Sequence, residues 1–170
     1  MSNHMNILIK KYLHLILLVA VLSACSKQNG FGPNYSAYNG GDVPINIQNS
    51  IANRPDPTVT VSIGGDSSIT VIMTIASTSK HTIKEITKVA TSSSYTAIQS
   101  TGATGFYPVS AIPGNGSTVT FTTSLRVYRS VYPKEKYSLN KELVNRFYFR
   151  ITLDDGTIVY PTPVRVLVVN

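Results

Sequence analysis

The sequence predicts an all-β fold, a single antiparallel sandwich of about seven short strands. Three observations lead there. From Val43 onward the chain is dominated by Thr, Val, Ile, Ser and Tyr, with turn residues between short runs, which is the composition of strands. Those runs alternate with a period of two and carry one apolar face, as half-buried strands do. No stretch sustains a helical period and no strand–helix–strand alternation occurs, which argues against an α/β architecture.

The strands can be taken in order. VPINIQN (43–49) alternates, and TVTVSI (58–63) sets Val59, Val61 and Ile63 on one face. ITVIMTIA (69–76) aligns Ile69, Val71, Met73 and Ile75. STVTFTTSLRVY (117–128) aligns Val119, Phe121, Leu125 and Val127, and NRFYFRITL (145–153) aligns Phe147, Phe149, Ile151 and Leu153. HTIKEITKVA (81–90) reads two ways. Thr82 and Glu85 stand at capping-box spacing and Ile83, Ile86 and Val89 recur every three residues, as in a helical turn. Thr and Ile favour a strand, and a strand is the expectation. SLNKELVN (138–145) is expected to be a crossing loop with a single turn.

Turns separate these runs. Asp154-Asp155-Gly156 suits a tight hairpin, and Pro113-Gly114-Asn115-Gly116 supplies a reversal before the long strand. The hairpin poses a parity problem. With the turn at 154–156, odd positions face odd positions across it, yet Val164, Val166 and Val168 are even. Either Pro161-Thr162-Pro163 inserts a bulge or Arg165 points inward. Proline is confined to edges and bulges, so a bulge is expected.

The chain ahead of Val43 is different. Lys10 and Lys11 form a positive region, residues 13–22 are apolar apart from His14, and Ser23, Ala24 and Cys25 follow. That is the layout of a secretory signal, with Met1 or Met5 as its start, and the run falls short of the roughly 20 apolar residues a membrane span needs. Residues 26–42 are rich in Gly, Asn and Ser without periodicity and read as a flexible tether. The expected organisation is a signal peptide at 1–24, Cys25 and a tether to 42, and one domain at 43–170, long enough to bury a core.

Leu22-Ser23-Ala24-Cys25 resembles the lipobox of bacterial lipoproteins. The resemblance implies a diacylglycerol thioether on Cys25, cleavage before it, and acylation of the new amino group. Two or three acyl chains hold a protein stably on a membrane, at about 0.8 kcal/mol per buried methylene. Ser26 is not the Asp of an inner-membrane retention signal, so the outer membrane is expected, with periplasmic and surface facing both open. Cys25 is the sole cysteine, so a lipidated chain has no thiol or disulfide left. The closing pattern, Phe147-Tyr-Phe-Arg-Ile-Thr-Leu-Asp-Asp-Gly and then Val164-Arg-Val-Leu-Val-Val, resembles the last two strands of immunoglobulin-like modules in Bacteroidota lipoproteins. It implies an immunoglobulin-like topology and transfers no activity.

The residues offer little chemistry. Beyond the leader His81 is the one histidine, and a lone His beside Ser and Lys reads as a solvated side chain. With no second histidine and no thiol, the usual zinc sets are missing. Glycosidase chemistry needs two carboxylates about 5–9.5 Å apart. Asp154 and Asp155 instead suit turn geometry, and Glu135 and Glu142 read as partners of Lys134, Lys136 and Lys141. Asp42, Asp66 or Asp154 could serve calcium only without the spacing of an EF-hand. No catalytic residue, metal or cofactor is therefore expected. Without Lys10 and Lys11 the chain has thirteen basic and eight acidic residues, a net +5, which is no nucleic-acid footprint.

The sharpest local feature is a solvent-face patch. Arg126 and Tyr128 share the outward phase of one strand, and Arg146, Tyr148 and Arg150 that of another. Tyrosine stacks on sugar faces and arginine pairs with acidic groups. The same alternation decorates any solvated sheet, and an immunoglobulin topology would put the two strands in different sheets. The expected function is a non-catalytic, membrane-anchored envelope module that is structural or binds another envelope protein. The alternative is a glycan-binding lipoprotein of a polysaccharide-uptake system, a reading weakened by the absence of Trp.

Overall fold

The apolar alternations of the sequence become strands in the structure, a computed structural model that describes residues 43–53, 55–92, 95–99, 106–107 and 110–170. The expected leader, Cys25, the tether and Asp42 lie outside the described residues. In chain order the elements are β1 (Asn46–Ile47), β2 (Thr58–Ser62), β3 (Ser68–Thr74), β4 (Ile83–Ser92), α1 (Thr96–Gln99), β5 (Phe106–Tyr107), β6 (Ile112–Pro113), β7 (Thr118–Ser124), α2 (Leu125–Val131), β8 (Arg146–Leu153), β9 (Ile158–Val159) and β10 (Arg165–Val169). The fold is all-β, mostly antiparallel. No helix among the described residues is long and apolar enough to cross a membrane.

β3 stands between β1 and β7, antiparallel to both. A second sheet centres on the antiparallel pair β4 and β8, with β5 and β6 on β4 and β9 on β8. One pairing departs from the antiparallel expectation: β10 runs parallel to β2, with Arg165 opposite Thr58 and Val169 opposite Ser62. On its other edge β10 is bonded by the segment leading into β8, through Leu143 N–H to Val166 O at 2.9 Å and the Phe147–Val164 pair. The SLNKELVN segment is thus the loop that seals this edge.

The inward residues of β1, β2, β3, β4, β7, β8, β9 and β10 share one core. Ile69, Val71 and Met73 of β3, Phe121 of β7, Phe147, Phe149 and Ile151 of β8, and Val164, Val166 and Val168 are all essentially inaccessible to solvent. Phe121 lies between the sheets, with ring centroids 5.7 Å from Phe147 and 5.4 Å from Phe149. Ile63, expected on the inner face of β2, is instead 41% exposed, because the chain has already left the strand for the turn at 63–66.

The triplet spacing in β4 has a specific cause. Ile83, Ile86 and Val89 are all buried, yet the segment is a ten-residue strand. Its pairing with β8 shifts register between Ile83 and Glu85 and again between Ile86 and Lys88. A bulge places two residues opposite one, so each converts a period of two locally into three. The hairpin parity is resolved in the same way. Ile151 faces Val159, but Phe147 faces Val164, so the returning chain has one extra residue around Pro161-Thr162-Pro163. Val164, Val166 and Val168 thereby reach the core while Arg165 stays half-buried. At Gly114 the reversal before β7 presses onto β4: an added Cβ would lie 2.0 Å from the Ile83 carbonyl oxygen.

Candidate functional site

The long alternation at 117–128 does not run through as one strand. Ser124 is extended (φ −141°, ψ 160°), and its hydroxyl accepts from Val127 N–H at 3.3 Å, an N-cap that starts α2. Ser67, in the left-handed region at φ 55°, supplies the carbonyl that accepts from Leu125 N–H at 3.0 Å. The switch from a period of two to a helical period buries Leu125 and Tyr128 and turns Val127 outward, to 36% exposed.

This dismantles the expected Arg and Tyr patch. Tyr128 is buried on α2, not outward on a strand. Tyr148 does face away from the main core, but α1 folds over it. With Ala90 and Ile98 it forms a second buried cluster, and Tyr95 meets its ring edge-on at 4.8 Å between centroids. Arg146 pairs with Asp56 at 3.0 Å, and Arg150 donates from Nε to Thr87 Oγ1 at 2.9 Å across the β4–β8 ladder. Of the five, only Arg126 stays exposed without such a partner among the described residues, and its surface is that of α2 rather than of β8.

That surface is a cleft of about 670 Å³ between the turn carrying Asp66 and Ser67, the outer face of α2 with Arg126 and Arg129, and Tyr137 in the following loop. A smaller hollow of about 330 Å³, lined by Glu135 and Lys136 among others, adjoins it through Arg129 and Tyr137. The Arg129 guanidinium lies 5.8 Å from the Tyr137 ring centroid, a cation–π contact. Two guanidinium groups beside an aromatic face suit an anionic, ring-bearing ligand.

The loop that carries Tyr137 is tied down by a polar network under α2. Tyr128 Oη donates to Glu135 Oε2 at 2.5 Å, and Asn145 Nδ2 donates to Glu135 Oε1 at 2.6 Å. Burial, then the Glu135 carboxylate, pushes the Tyr128 phenol well above the usual tyrosine range. Tyr132 donates from its hydroxyl to the Thr91 carbonyl at 2.6 Å, joining the end of α2 to β4.

A second constellation, absent from the sequence reading, forms at the β8–β9 turn. His81 Nδ1 lies 3.4 Å from Asp154 Oδ1 and 3.5 Å from Asp155 Oδ2. Asp155 accepts from Thr157 N–H and Oγ1, both at 2.9 Å, and these bonds hold its carboxyl below the usual carboxylate range. At Asp154 desolvation raises the value, but bonds from the Thr82 main chain and side chain and from His81 outweigh it, and the net direction is down. The three donor atoms lie within 4.8 Å of one another, the one group among the described residues with such spacing. Comparison of the chain with protein families, curated proteins and solved structures finds no match.

Proposed function

We propose that the chain is a non-catalytic lipoprotein of a bacterial cell envelope, anchored through acylated Cys25 and working through an immunoglobulin-like domain at 43–170 that binds another envelope protein. The observation that carries the reading is the joint presence of the LSAC motif and a β-domain beginning within twenty residues of it. The immunoglobulin-like assignment draws its support from the strand order. β1-β3-β7 forms one antiparallel sheet and β5-β4-β8-β9 another, while β2 pairs in parallel with β10, which touches β8 through the Phe147–Val164 bridge. The test has two arms. Mass spectrometry of the membrane-extracted protein should find a diacylglyceryl thioether on Cys25, and an unmodified cysteine removes the anchor. Cross-linking in intact cells followed by purification should give one stoichiometric envelope protein, and its absence removes the binding role.

A second reading, a glycan-binding lipoprotein, is favoured by the Arg126, Arg129 and Tyr137 cleft. An acidic-glycan array should lose its signal with Arg129→Ala and Tyr137→Ala. Binders indifferent to both changes, or no binders, remove that reading. Tyr148 and Arg150 are poor probes of it, since one is buried and the other spans a ladder.

A further inference from the structure

We propose that His81, Asp154 and Asp155 form a binding site for a divalent transition-metal cation of the zinc type. The donor set is one imidazole nitrogen and two carboxylate oxygens drawn from two separate stretches of chain. Calcium and magnesium take oxygen ligands, whereas imidazole beside carboxylate suits zinc and its neighbours. The spacing at the imidazole agrees with that choice, and all three ligand atoms lie within 4.8 Å of one another. Ligands about 2.0–2.1 Å from a tetrahedral ion stand about 3.4 Å from one another. The observed nitrogen-to-oxygen separations are 3.4 and 3.5 Å. The one nitrogen meets both carboxylates at these distances, a geometry that a shared ion would satisfy as well as the weak direct contacts do.

The surroundings hold the ligands in place. Ile83 pairs with Leu153, so the register carries His81 to the point opposite the turn, and Asp154 N–H closes the gap on Thr82 O at 3.0 Å. Thr157 donates twice to Asp155, the kind of outer contact that orients a ligating carboxylate. Each of its oxygens keeps a lone pair for the ion. The three side chains are 35–45% exposed, so an ion can enter directly and water can fill its fourth position. Once bound, it would join the start of β4 to the β8–β9 turn.

The experiment uses the full untagged chain in detergent, stripped with a chelator and titrated with zinc chloride by calorimetry, with circular dichroism as the check on folding. One ion per chain is expected, unaffected by excess calcium or magnesium. Removing an outer-shell contact alone costs about 10–100-fold in metal affinity. His81→Ala and Asp155→Asn should therefore each weaken zinc by at least that range. Thr157→Val should weaken it by about tenfold. His81→Gln, which preserves bulk without the ring nitrogen, guards against a folding artefact. Failure to saturate at one ion, equal binding by the His81 variants, or displacement by calcium each overturns the proposal.

Discussion

Tyr128→Phe removes one oxygen from the network that fixes the cleft loop, and its cost can be worked from the contacts. The hydroxyl makes one strong bond, to Glu135 Oε2 at 2.5 Å, and two long ones from Asn145 at 3.4 Å. A hydrogen bond to a charged group is worth about 1.5–3 kcal/mol, and contacts near 3.4 Å add little. Glu135 is only half-buried, so water can reach part of its freed oxygen. The expected loss is therefore about 1.5–2 kcal/mol, near the low end. For a folded region of about 130 residues that is a fall of about 6 °C in Tm. Urea unfolding followed by circular dichroism measures it, and a cycle with Glu135→Gln should show a coupling of at least about 0.5 kcal/mol. The phenol titrates higher folded than unfolded. Its contribution is therefore complete below the unfolded value near pH 10 and declines as pH rises further. Tyr128→Phe should lack that alkaline decline. A loss under about 0.5 kcal/mol, or an unchanged alkaline limb, would show that the network does not hold the loop.

Three further outcomes follow from the packing. Phe149→Ala, which opens a cavity facing Phe121, should cost about 3–5 kcal/mol by denaturant titration. Gly114→Ala drives a methyl group to 2.0 Å from the Ile83 carbonyl, where only backbone can yield, so it should cost more than about 2 kcal/mol and lower hydrogen-exchange protection at the start of β4. Arg146→Ala leaves the Asp56 carboxylate, only 14% exposed, without its cation, and should cost about 1–3 kcal/mol while leaving any ligand binding unchanged.

The legible part of the fold was the part governed by alternation. β3 follows its period of two to the last residue and β8 departs from it only where α1 covers Tyr148, and the parity conflict between Phe147 and Val164 was enough to locate an inserted residue near Pro161. The spacing of Ile83, Ile86 and Val89 was ambiguous for a physical reason. A helical turn and a strand with repeated bulges both bring every third residue to one side. What separated them was the β-branched content. The parallel partnership of β2 and β10 left no local trace, because pairing across the whole chain depends on packing that no short window contains.

The site was illegible for two different reasons. Outward parity says which way a side chain faces only while the strand continues and nothing covers that face. Ser124 ended the first condition for Tyr128, and α1 ended the second for Tyr148. The signal for Tyr128 was present: Leu125 and Tyr128 stand three apart after a capping serine, which fits a helical turn better than a strand. His81 failed for the opposite reason. Its neighbours in sequence are polar and exposed, so by itself it looks solvated. Its place beside Asp154 and Asp155 comes from the register of β4 on β8. Once Ile83 is paired with Leu153, counting two residues outward along each strand puts His81 across from Asp155. Side-chain neighbourhoods in this β-domain thus depend on pairings more than on motifs, and a hairpin turn reached by the end of a neighbouring strand is where distant polar residues are brought close together.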